Sequence, residues 1–201
     1  MTTTTACVLM SLAGSAWAGQ NAAAEYTVHV YVLNEMQVSA APGALSGAEY
    51  VATHLMADAG VRLVWHRGKP AGPDPDVLEV MFEVTPASFR TPEKAAALAY
   101  TRPYAPDGTP LMFFTDRIAA VVEPYGKQAY LVLGHVLAHE ITHALEGMSH
   151  HSEEGLMRAR WTAKEMSAIT HCGLPMDAVD RELVQLGMEK RMARTAADST
   201  R

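Results

Sequence analysis

The sequence predicts an α+β or three-layer α/β domain with a small helical subdomain at its C-terminal end. Three observations carry this. Strand-type alternation recurs in the first half of the chain, one long segment after it has helical spacing without proline, and two shorter helical stretches close the sequence.

Tyr26 to Leu33, "YTVHVYVL", sets Val28, Val30 and Val32 against Thr27, His29 and Tyr31, the period of a half-buried strand. His29 falls on the face opposite the valines and reads as a surface residue. Leu45, Val51, Leu55 and Met56 then recur at helical spacing, with Ser46 as a candidate cap and Gly60 as a stop, so a helix is expected there with His54 structural. Val61 to Gly68 and Asp76 to Thr85 are the next strands, separated by a Pro- and Gly-rich loop. "TPEKAAALAYTRPYAPDGTP" reads two ways: Pro92 and the alanine run favour a short helix, while Tyr100 to Tyr104 favours extended chain. Leu111 to Val122 is aromatic and β-branched, and is expected as a further strand at an edge or in a hairpin. Lys127 to Glu146 is the long helix, closed by Gly147, and Thr162 to Ile169 and Pro175 to Ala193 are the last two.

A chain of 201 residues suits one domain. Hydrophobic residues at 49% and charged residues at 19% exclude a disordered chain and a polytopic membrane protein. A net charge of −6 gives no basic face to displace counterions from phosphates, so no nucleic-acid partner is expected. At the amino terminus an apolar run, Ala6 to Ala13, precedes Ala16-Trp17-Ala18, a small-x-small cleavage pattern, although no Lys or Arg precedes the run. Residues 1–18 read as a signal peptide and 19–201 as one exported domain, secreted or periplasmic. The run is shorter than the about 20 residues that span a bilayer, so the mature chain should have no membrane span. Cleavage would remove Cys7 and leave Cys172 without a disulfide partner, favouring a small buried residue over a free thiol.

His139-Glu140-Ile141-Thr142-His143 matches H-E-x-x-H. On a helix, residues four apart project from one face, so both imidazoles can reach one ion with the carboxylate beside it. The bare motif is short enough to arise by chance. It lies, however, in the strongest helical segment, and Gly147 lets the chain turn a later histidine back towards the ion. A catalytic zinc keeps three protein ligands and an open fourth position, and His150 and His151 are the candidates for the third. His135 sits one turn before His139, too far along the axis to share the ion, and reads as a supporting histidine.

"HEITHALEGMSHHSEEGLM" resembles the zinc-binding stretch of the metzincin metallopeptidases, H-E-x-x-H-x-x-G-x-x-H followed by a Met-turn, and is closest to the matrixin form with its His-Ser pair. The resemblance implies a zincin-like mixed twisted sheet with an active-site helix, zinc on His139, His143 and His151, Glu140 as general base and Leu156-Met157 as the Met-turn. This chain departs from the pattern: Glu146 and Ser149 stand where Gly and His are usual, Gly147 comes one residue late and His151-Ser152 two, and no Tyr follows Met157. His150 fits a one-residue shift and stays open as the third ligand, and Glu165 would serve in zincins that use a downstream glutamate.

The activity implied is hydrolysis of a peptide bond in a peptide or protein substrate by metal-activated water, without an acyl-enzyme. The alternative is an inactive, metal-stabilised binding or structural module of the same fold. Glu140 speaks for the first, because a structural site has no use for a base and fills its fourth position with Cys or His. An edge strand near Leu111 to Ala120 is where a substrate backbone would pair.

Overall fold

The computed structural model describes residues 26–34, 43–72, 77–91, 94–102 and 109–198. The signal-peptide reading of residues 1–18 and the extended reading beyond Arg102 lie outside these. The elements run β1 (Tyr26–Val32), α1 (Ala44–Ala57), β2 (Val61–Arg67), β3 (Leu78–Glu83), β4 (Ala99–Thr101), β5 (Thr109–Phe114), α2 (Thr115–Val122), α3 (Ala129–Glu146), α4 (Ala163–His171) and α5 (Ala178–Asp198).

The fold is a mixed α/β arrangement on a five-stranded sheet of order β2-β1-β3-β5-β4. Four strands are parallel, and β4 closes one edge antiparallel to β5, with Ala99 opposite Phe113 and Thr101 opposite Leu111. In β1 the valines and Tyr26 point inward while Thr27 and His29 stay exposed, which is the alternation its sequence foretold. Val30, Val80, Phe82, Leu111 and Phe113 from the sheet join Val51 and Leu55 of α1 and Leu133, Leu137 and Ile141 of α3 in one core. Burial of this face, rather than helix propensity, holds the two helices in place.

Two expectations change. The segment Leu111 to Val122 is strand only to Phe114; Thr115 starts α2. The reason lies in Asp116, in the first turn, whose Oδ1 accepts from Thr85 N at 2.9 Å and from Thr85 Oγ1 at 2.6 Å. That tie fixes the strand-to-helix change just past β3, where an apolar run alone reads equally as either element. The edge of the sheet is therefore β4 and not the Leu111 to Ala120 stretch. Around Lys94 the alanine run forms turns, and only Ala99–Thr101 is extended.

Cys172 ends α4 as an exposed free thiol instead of packing in the core. His54 and His171 each turn Nδ1 back to a carbonyl four residues earlier, Tyr50 and Ser167, in structural roles. No helix of the described residues is long and apolar enough to cross a membrane. At the C-terminal end α5 lies against α3 so closely that a Cβ on Gly187 would stand 1.8 Å from the carbonyl oxygen of Leu145. Only glycine permits that approach.

Candidate metal centre

Helix α3 carries the H-E-x-x-H motif in its last two turns and ends at Gly147, whose φ of 71° is the left-handed conformation that suits glycine. The chain then doubles back, and Ser152 N donates to the Met157 carbonyl at 2.9 Å, closing a tight loop over the end of the helix. This return brings His151 to His139 and His143, and the ligating nitrogens of the three lie within 4.8 Å of one another. His139 Nε2 and His143 Nε2 are 3.1 Å apart. The rings of His143 and His151 meet at 90° with centroids 4.8 Å apart.

His150 points elsewhere. Its Nε2 lies 3.4 Å from Ser152 Oγ and 3.5 Å from Asp180 Oδ1. Of the adjacent pair left open by the sequence, His151 is the one that joins the cluster. Glu165 is also engaged elsewhere: it accepts from Thr162 N and Oγ1 in the capping box of α4 and pairs with Arg158 at 2.6 Å. His135 holds the helix as expected, with Nδ1 donating to Leu131 O at 2.7 Å and Nε2 accepting from Leu174 N at 3.0 Å.

The nitrogens suit a cation. His139 Nδ1 donates to the Leu156 carbonyl at 2.9 Å, so the proton sits on Nδ1 and Nε2 turns its lone pair to the shared point. Leu156 and Met157 are both fully buried, which fixes that carbonyl. Burial keeps His139 neutral against the opposing pull of the Leu156 carbonyl. For His143, burial and then the neighbouring His139 and His151 push the pKa down to about 3. His151 is lowered by partial burial and by His139 and His150. Three neutral imidazoles crowded on one point form a donor set for a borderline-soft divalent ion. His143 is buried, His139 half-buried and His151 exposed, so the cluster opens towards solvent on the His151 side.

Glu140, the residue after His139 in α3, is buried, and burial raises its carboxyl to about 7 against a lowering hydrogen bond from Thr101. Thr101 Oγ1 donates to Glu140 Oε2 at 2.6 Å. This threonine ends β4, so the edge of the sheet touches the motif directly. No sequence signal marked Thr101, because its contact spans 39 residues of separation. The sequence also did not single out Asp180, which is fully buried on α5 and accepts from Ser152 Oγ at 2.7 Å. Nor did it single out Glu146, buried without a hydrogen-bond partner and raised to about 8 by burial and by the nearby Asp180 and Asp177. Trp161 stands edge-on to His139, with centroids 5.9 Å apart, and donates to the Leu156 carbonyl at 3.3 Å.

The site is a histidine triad able to hold a metal ion, on a helix whose buried Glu140 is tied to the edge strand of the sheet. No family model and no curated protein matches the chain.

Proposed function

We propose that this protein is an exported, zinc-dependent peptidase of metzincin-like fold. The observation that carries the reading is the convergence of His139, His143 and His151 on one point, at the end of a helix that also carries the buried Glu140. Three nitrogen ligands with a solvent-facing side are what a catalytic zinc needs, and a structural site would be closed by a fourth residue. Zinc held there would supply Lewis acidity, acidifying a water and polarising the scissile carbonyl.

The chain's own residues do the rest. Glu140 takes the proton of the attacking water and returns it to the departing amine. Burial raises its carboxyl to about 7, and a bound cation would draw that value down towards the ionised form a base needs. Thr101 holds Oε2 of this carboxylate from the β4 side. The outer edge of β4 offers backbone groups to an extended peptide lying alongside the cluster.

The test is metal analysis and peptide cleavage on the purified mature chain. We expect one zinc per chain, lost in His139→Ala and His151→Ala and kept in His150→Ala. Glu140→Gln should keep its zinc and lose about 10²- to 10⁴-fold in kcat/KM, the usual worth of a general base. Zinc without any Glu140-dependent cleavage would leave a metal-stabilised binding module instead, and absence of zinc would overturn both.

A further inference from the structure

Beside His151, the loop after α3, the start of α4 and the residues leading into α5 line a groove of about 780 Å³. That volume suits a long side chain or a small ligand. Its walls carry four carboxylates, Glu153, Glu154, Glu165 and Asp177, against one ammonium, Lys164. Arg158 neutralises Glu165, and Glu154 stands 4.0 Å from Lys164 with both side chains largely in solvent. Glu153 and Asp177 remain, in no ion pair among the described residues. Asp177 uses Oδ1 to accept from Asp180 N at 2.8 Å, which holds its carboxylate in place at the groove. Leu174 and Pro175 add an apolar stretch of wall.

We propose that this groove selects a basic residue, lysine or arginine, in the peptide presented to the metal centre; the inference rests on the peptidase reading above. The occupant follows from the lining. A long aliphatic stem matches the apolar wall, and a cationic head reaches the unpaired carboxylates while staying partly solvated, the usual posture of such side chains. An acidic residue would meet like charge there, and a leucine would leave both carboxylates without a counter-charge. Since His151 forms part of the same wall, a side chain seated in the groove belongs to a residue close to the cleaved bond.

The experiment uses the zinc-loaded mature chain and three pools of short peptides, randomised except for one central residue fixed as Lys, Leu or Glu. Cleavage positions are mapped by mass spectrometry, and binding is followed in parallel by fluorescence anisotropy on Glu140→Gln protein. We expect the Lys pool to be cut and bound about tenfold better than the Leu pool at low salt, with the Glu pool worst and the margin shrinking as ionic strength rises. In the double variant Glu153→Lys/Asp177→Asn the Lys-to-Leu ratio should fall below about twofold. Cleavage with no preference for a basic residue, or with a preference the double variant leaves intact, overturns the groove assignment and leaves the peptidase. Preferential binding of the Lys pool, lost in the double variant, with no cleavage at all leaves the groove and overturns the peptidase. Neither cleavage nor preferential binding overturns both.

Discussion

His139 illustrates how little of a candidate metal site is its ligands. Its ring is oriented by a carbonyl seventeen positions later, Leu156 O, and that carbonyl is itself immobilised by two fully buried side chains. The same logic applies to Glu140 and Thr101. At 2.6 Å the threonine hydroxyl satisfies one oxygen of a carboxylate that burial would otherwise leave exposed to a low-dielectric surround. Thr101→Val keeps the shape and removes the donor. Under the peptidase reading kcat should drop about tenfold with KM and zinc content little changed, and Thr101→Ser should restore most of it. Steady-state kinetics on the three proteins decide this, and a KM effect with unchanged kcat would place Thr101 in substrate binding instead. At this scale the sequence was informative about four residues and silent about the fifth: motif spacing named His139, Glu140 and His143 and narrowed the third histidine to neighbours, but a strand hydroxyl has no motif.

Elements were legible where their pattern had a single meaning. Helix α3 has no proline, keeps helical spacing and ends on a glycine, and it runs where those features put it. The Leu111 to Val122 stretch was misread because an apolar run fits strand and helix alike, and Thr115-Asp116, which starts the helix, is tied by contacts to a distant threonine. Cys172 was misplaced for a related reason: a lone cysteine is apolar enough for a core, and nothing local says that α4 ends at the surface there. Packing between elements yields its own prediction. Gly187→Ala puts a methyl into the Leu145 carbonyl, so α5 must shift off α3, at a cost of about 1–3 kcal/mol, seen as a lower melting temperature. An unchanged melting temperature would mean that the two helices are not in close contact in solution. Helix α4 makes a pH-dependent prediction. Glu165 is held down to about 2, from 4.5, chiefly by the Thr162 hydroxyl and backbone N–H. A folded-state pKa below the unfolded one gives stability that is complete above about 4.5 and disappears as the pH falls towards 2. Thermal melts should therefore show Glu165→Gln less stable than the parent at neutral pH, with the gap closing in acid; a gap constant down to pH about 2 would contradict this.

Across the whole molecule, the site is assembled from three regions of chain that only the fold brings together: the edge of the sheet, the end of α3 with its return loop, and the buried face of α5. The sheet order could not be read from the sequence, since strand patterns give no partners, and with it went the identity of the edge strand. Asp180 makes the dependence on α5 explicit. Its carboxylate holds Ser152 at 2.7 Å, next to His151, while drawing His150 aside. If the triad holds zinc as proposed, Asp180→Ala should weaken its binding about 10- to 100-fold without removing a ligand, as measured by competition with a chelating dye. Affinity equal to that of the parent would mean that the loop keeps its shape unaided.

The crossing at Gly187 adds a consequence for the chain's integrity. A proteolytic nick anywhere between the triad and α5 would leave all three histidines and Glu140 on one fragment, and yet take from that fragment the helix that seats its third ligand. With every proposed ligand on one fragment a metal could not bridge the two pieces, so a nicked chain would keep its site only while α5 stays docked on α3 by packing and by the Ser152–Asp180 contact. The last helix acts as a latch on the candidate metal centre while contributing none of its proposed ligands.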